Sequence, residues 1–231
     1  MKEYTNIKAD DFCCIGAVLE TVLIRNNYTN YNQYAIINEF GLTIPKTAKV
    51  SEKINNITYS DDPIDWGVKL EYDSLNNFFN NKGIRLVEDY ISIREIADYR
   101  FELTLRSISF EFDVVFGFDY GRLYNIPDSY SVGHVGIFLK LESDNLLYLD
   151  PGPRNYGVRK VKIDDLYNAI KSKSDGLWII KSNPKPPSGG LGVIHGDERV
   201  FSSFTGILFK TMKGYIIVRV FIEWTNARRI K

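Results

Sequence analysis

The sequence predicts an α+β fold, and three observations carry that expectation. Helical periodicity dominates the first third of the chain. Apolar, β-rich runs separated by short polar turns dominate from about residue 84 to 181. The composition, 44% hydrophobic and 25% charged over 231 residues, is that of a chain able to bury a core. Helices first and an antiparallel sheet later is the α+β order. An apolar fraction this high excludes a disordered chain, which lacks the hydrophobic side chains to offset ordering entropy. The length fits one domain of generous size, or a domain with a small appendage.

The first helix is expected after Asp10 or Asp11 as cap, because Ile15, Val18, Leu19, Val22 and Leu23 form one apolar stripe at i, i+3, i+4, i+7 and i+8. Asn26-Asn27 ends it. A second helix is expected from Tyr31 to Phe40, with Gly41 as its stop. Residues 42–70, with scattered Pro, Ser and Asp, read as a long irregular connection. Asp73 or Ser74 then caps a helix to Lys82, closed by Gly83. Ile84–Tyr90 reads as a strand, and Ser92-Ile93-Arg94-Glu95 as a capping box opening a helix to about Arg106. Phe112–Phe118 is a β-rich run. Val132–Leu141 and Leu146–Asp150, joined across Ser143-Asp144-Asn145, read as a β-hairpin, stopped by Asp150-Pro151-Gly152-Pro153. A short strand at Val158–Ile163, a helix from Asp164 to about Lys171 and a strand at Gly176–Lys181 complete a first domain, residues 1–181. Residues 182–192 (SNPKPPSGGLG) read as a Pro/Gly linker, and 193–231 as a β-rich extension with strands near Phe201–Thr211 and Tyr215–Trp224.

Charge excludes some function classes. Lys+Arg and Asp+Glu balance at 29 each, so the basic excess of a general nucleic-acid or anionic-membrane binder is missing. No run approaches the length of a membrane helix. The N-terminus, MKEYTNIKADDF, has no apolar core of a secretory signal, so the expected location is cytoplasmic, or exported without a recognisable signal peptide. Two adjacent cysteines cannot build a disulfide framework, and with two histidines they lack metal-ligand spacing, so no cofactor and no metal are expected. Gly189-Gly190-Leu191-Gly192 lacks the Lys-Ser/Thr of a phosphate loop. Tyr120, Tyr124 and Tyr130, in the loop before His134, line a substrate groove or face solvent.

Cys14, at the start of the first helix, is the candidate nucleophile. A thiol in a helix's first turn meets free backbone N–H groups and the positive end of the helix dipole, surroundings that favour the attacking thiolate. Asp10 and Asp11 oppose this unless they are turned into capping. The alternative is that Cys13 and Cys14 are small buried hydrophobes. The candidate base is His134, in Gly133-His134-Val135-Gly136. Asp150 stands sixteen residues on, at the far end of the partner strand, where the hairpin folds it back beside His134. There a carboxylate can hold the imidazole tautomer and stabilise its charged form. Otherwise His134 is a half-buried strand residue and Asp150 a turn-former. His195 lies beyond the linker, with only Asp197 nearby. The order Cys, strand His, strand-end Asp is that of papain-like enzymes.

The stretch Asp11-Phe12-Cys13-Cys14-Ile15-Gly16-Ala17-Val18-Leu19 resembles the nucleophile helix of the C39 and C39-like bacterial cysteine peptidases, with Ala17 and Leu19 matching when Cys14 is the nucleophile. Tyr31-Asn32-Gln33-Tyr34-Ala35-Ile36 with Phe40-Gly41 resembles their second helix. Gly133-His134-Val135-Gly136-Ile137 and Tyr148-Leu149-Asp150-Pro151 resemble their His strand and Asp-Pro strand end. The resemblance covers about residues 4–181, and implies a papain-like fold in which the nucleophile helix packs on an antiparallel β-sheet. It implies a Cys14–His134–Asp150 triad acting on a peptide or protein substrate through a thioester. The family's oxyanion-hole Gln, six residues before the nucleophile, is replaced by Lys8, which leaves Lys8 or a shifted Asn6 as the side-chain donor. A papain-like acyltransferase, a catalytically inactive peptide-binding domain of this type, and a structural protein with a buried Cys14 are the competing readings.

Overall fold

The computed structural model describes residues 3–71, 73–108, 112–126, 133–153 and 155–183, with strand backbones at 207–211 and 214–218. The chain divides into two compact units, Met1–Lys185 and Pro186–Lys231. In the second unit, β9 (Ile207–Thr211) and β10 (Gly214–Val218) pair antiparallel as a hairpin. The other residues expected to be strand there lie outside the described residues, as do His195 and residues 184–192 of the expected linker.

The first unit opens with α1 (Cys14–Arg25) and α2 (Gln33–Phe40). No side chain caps α1, contrary to the expectation for Asp10 or Asp11. Phe12 takes a left-handed φ of 65°, and this turn brings the Asp10 backbone carbonyl to Cys13 N–H at 3.0 Å. The Asp10 carboxylate instead accepts from Tyr34 Oη. In α2, Asn32 is the cap, accepting from Ala35 N–H, and Gly41, at φ 83°, ends the helix. Residues 42–70 are more ordered than expected. β1 (Leu42–Ile44) and β2 (Ile57–Tyr59) pair parallel, followed by a 3-10 turn at Pro63–Asp65.

Next come α3 (Ser74–Asn81), β3 (Leu86–Ser92), a 3-10 turn at Ile93–Glu95 and α4 (Asp98–Ile108). Ser92 caps only that 3-10 turn, so α4 starts later than the capping box suggested. The remaining elements are β4 (Asp113–Asp119), the single-turn α5 (Tyr120–Leu123), β5 (Gly133–Glu142), β6 (Asn145–Asp150), β7 (Gly157–Lys162), α6 (Ile163–Lys173) and β8 (Gly176–Ser182). The six long strands form one sheet in the order β3-β8-β4-β5-β6-β7, every neighbouring pair antiparallel. The α+β class expected from the sequence is the observed one.

Period-2 alternation divides the sheet between two helical layers. Val115, Val135, Ile137 and Leu149 meet Val18, Leu19 and Val22 of α1 and Phe79 of α3. Phe116, Phe118, Phe138 and Tyr148 meet Phe101 and Leu105 of α4 and Leu166 and Ile170 of α6. The hydrophobic faces of all these elements are thereby removed from water, the dominant favourable term in folding. This packing holds the N-terminus of α1 against the sheet, close to the start of β5.

Candidate active site

Adjacency does not make Cys13 and Cys14 equivalent. Cys13 is fully buried among Ile37, Leu42, Ile44 and Ile54. Its thiol contacts the Asp11 carbonyl at 3.3 Å. Burial, with Asp10, Cys14 and Asp11 adding negative charge nearby, pushes this thiol up to about 12, so it is un-ionised and unreactive at neutral pH. Cys14, the first residue of α1, is only half-buried and lies close enough to the imidazole of His134 to raise its proton affinity.

The antiparallel register of β5 and β6, with Ile137 opposite Leu149, puts His134 and Asp150 at one end of the hairpin. His134 Nε2 lies 2.8 Å from Asp150 Oδ1. With Nε2 so engaged, Nδ1 is the ring nitrogen left to face the Cys14 thiol. Phe118 and Tyr120 each pack edge-on against the imidazole, both at 5.3 Å between centroids. His134 is 8% exposed. Burial alone lowers its pKa, but the hydrogen bonds to Asp150 and Cys14 and their negative charge outweigh burial and raise it to about 9. The protonated ring is therefore the prevailing form at neutral pH.

Asp150 is fully buried, and its carboxylate is met on every side. Oδ1 also accepts from Gly152 N–H at 2.8 Å, so Asp150 shapes its own Asp-Pro-Gly turn while it holds the histidine. Oδ2 lies 3.0 Å from Tyr124 Oη and 3.3 Å from Tyr148 Oη, and the two phenol oxygens touch each other. From the sequence Tyr124 is a groove-lining or solvent-facing loop residue; here its hydroxyl meets the Asp150 carboxylate, beside Tyr148, which the sequence marks only as part of the strand-end motif. A tyrosine two residues before Asp150 on the same strand shares its face, and that was the available signal.

The segment leading to Cys14 is stitched to the same strand end. Ala9 N–H donates to the Pro151 carbonyl at 2.8 Å. Asn6 Nδ2 donates to the Asp150 carbonyl at 3.3 Å, and Tyr156 Oη donates to the Asn6 carbonyl at 2.7 Å. Lys8 is exposed, and its carbonyl accepts from Gln33 Nε2 at 3.1 Å, while Gln33 Oε1 accepts from Asp10 N–H at 3.1 Å. Gln33, a buried amide on α2, thus holds two backbone groups of the segment leading to Cys14. The sequence motif around Gln33 gave no sign of this role.

Tyr130 lies outside the described residues. Among the described residues no group of three or more His, Cys, Asp or Glu could hold a metal ion, and no helix is long and apolar enough to cross a membrane. No protein-family model matches the sequence, and no curated protein does. Among solved structures, the chain is similar to the peptidase domain of Streptococcus ComA, a bi-functional ABC transporter involved in a quorum sensing pathway, at 13% identity and a TM-score of 0.46 over 79% of this chain and 100% of that one.

Proposed function

We propose that the protein is a papain-like cysteine peptidase or amidohydrolase, with Cys14 as nucleophile, His134 as proton carrier and Asp150 as the carboxylate that orients the ring. One observation carries the reading: a single imidazole lies 2.8 Å from the Asp150 carboxylate and interacts with a thiol at the first residue of a helix. His134 already holds the proton that Cys14 gives up, and the sulfur attacks the carbonyl carbon of the substrate amide as the C=O electron pair moves onto oxygen. The C–N bond then breaks, His134 delivers its proton to the departing amine, and a thioester remains. Water attacks that thioester while His134 accepts a proton, and breaking of the C–S bond frees the Cys14 sulfur beside the protonated ring, as at the start. The Cys14 N–H, among the first N–H groups of α1, is one oxyanion donor, and Lys8 or Asn6 is the second. Replacing each with Ala identifies it, since losing an oxyanion donor lowers kcat by about 10²–10³-fold.

The first test is the pH dependence of iodoacetamide labelling in the native protein. Cys14→Ser abolishes labelling, Cys13→Ser leaves it intact, and His134→Ala slows it near and below neutral pH. Labelling of both cysteines only after unfolding would sink the proposal. Where Cys14 does react, incubating peptide substrates with and without an added amine shows from the products whether the thioester passes to water.

A further inference from the structure

We propose that Tyr124 and Tyr148 form a hydroxyl relay that positions Asp150, with Tyr124 the direct donor to its carboxylate. This rests on the reading of Cys14, His134 and Asp150 as an acyl-transfer centre. Three oxygens, Asp150 Oδ2 and the two phenols, lie in mutual contact, but the two hydroxyls hold only two protons between them. One contact therefore carries no proton. Tyr124 is nearer the carboxylate than Tyr148, at 3.0 against 3.3 Å, so the order that fits is Tyr148 donating to Tyr124 and Tyr124 donating to Oδ2. This order puts a proton in the contact between the two phenol oxygens, which an arrangement with both phenols aimed at Oδ2 would leave as facing lone pairs.

The surrounding chain is shaped for this relay. Tyr148 reaches Asp150 by lying over Gly136 of β5, where a Cβ would stand 2.6 Å from Tyr148 Cδ2. The second glycine of Gly133-His134-Val135-Gly136 thus makes room for a ring beside the histidine. Tyr124 follows the single turn of α5, which Asp119 starts by accepting from Arg122 N–H at 2.9 Å. Tyr120 of that turn packs on Tyr124 at 4.7 Å between centroids as well as on His134. With Gly152 N–H on Oδ1 and Tyr124 on Oδ2, the carboxylate plane is fixed from both edges, although a carboxylate torsion is otherwise soft. That plane aims Oδ1 at Nε2. A phenol could instead act in the opposite sense, drawing charge from the carboxylate and weakening its hold on His134. The two roles move the imidazole titration in opposite directions.

The test titrates the His134 ring by NMR in the full chain, in parallel with Cys14 labelling by iodoacetamide, for the native protein and the Tyr124→Phe, Tyr148→Phe and His134→Ala variants. The expected result is that Tyr124→Phe lowers the His134 midpoint by about one unit, a tenfold smaller imidazolium-to-imidazole ratio at a given pH, with a smaller drop in Tyr148→Phe. Circular dichroism of both variants stays native. If His134→Ala slows labelling but Tyr124→Phe leaves the midpoint unchanged or raises it, the relay proposal is overturned while the catalytic reading stands. If labelling ignores His134→Ala, the catalytic reading fails and takes with it any positioning role, whatever the midpoint does.

Discussion

Cys13 and Cys14 are the same side chain one peptide apart, and only their surroundings distinguish them. The helix start sends Cys13 into an apolar cluster and leaves Cys14 half-buried beside an imidazole. Cys13→Ala should therefore lower stability by about 1 kcal/mol, the effect of a small cavity in a packed core, without changing the rate at which Cys14 is alkylated. A thermal melt paired with labelling kinetics tests both halves, and loss of Cys14 reactivity in a folded Cys13→Ala protein would refute the assignment. His134 gives a pH prediction. Its pKa stands at about 9 in the folded protein, above about 6.5 for a free imidazole. The stability it contributes is fully present below about pH 6.5 and is lost as pH rises through about 9. On the proposed peptidase reading, turnover would follow the same limb, because a neutral ring cannot protonate the leaving amine. Peptide hydrolysis should decline through about pH 9, and melting temperature with it. An unchanged melting curve from pH 6 to 10 would contradict the raised pKa.

At the scale of elements, α1 and α2 show how packing sets the site. A Cβ on Gly16 of α1 would lie 2.7 Å from the Gln33 carbonyl and 2.9 Å from the Ile37 side chain. Gly16→Ala gains about 1 kcal/mol of helix propensity, but the overpacking costs about 1–3 kcal/mol, and a backbone carbonyl cannot swing aside as a flexible side chain does. The expected outcome is a lower melting temperature together with slower Cys14 labelling, since Gln33 holds Lys8 and Asp10; a stabilised variant would show that the two helices can part without consequence. Such close contacts mark what was legible in the sequence. The amphipathic stripe of α1, the Asn145–Asp150 strand and the stop at Gly41 follow from local periodicity and turn chemistry, and each is found within a few residues of its expected bounds. The hairpin itself follows from strand length and turn position, but a register shift between Phe138 and Lys140 sets Tyr148 opposite Phe138 and so brings Asp150 to the face of His134, and no local pattern marks that bulge. Asp10 and Ser92 carry the side chains of helix caps, but the tertiary turn at Phe12 and the 3-10 turn at Ile93–Glu95 redirect them. Gln33, Tyr124 and Tyr148 were hidden for another reason. Gln33 and Tyr124 find partners far along the chain, whereas Tyr148 meets Asp150 only two residues on and could be placed only by their shared strand face.

At the scale of the whole molecule, the site is assembled from the N-terminal segment, α1, the β4–α5 corner and the β5–β6 hairpin, all within Met1–Lys185. The same unit holds both helical layers of the six-stranded sheet. It also holds the ion pair of Arg25 with the buried Asp113, which joins the C-terminal end of α1 to β4 and also receives Asn26 and Tyr4. A unit with its own core and its own long-range polar ties meets the physical requirements for independent folding. Its last edge strand, β7, carries Arg159, Lys160 and Lys162, charges that discourage edge-to-edge association. A chain ending at Lys185 should therefore stay monodisperse, melt within about 4 °C of the full chain and label at Cys14 at the same rate. For a unit this size a 1 kcal/mol loss shifts the melting temperature by about 2–4 °C. A larger drop, or association of the truncated chain, would mean that residues 186–231 complete the fold; slower labelling at an unchanged melting temperature would mean that they act on the site.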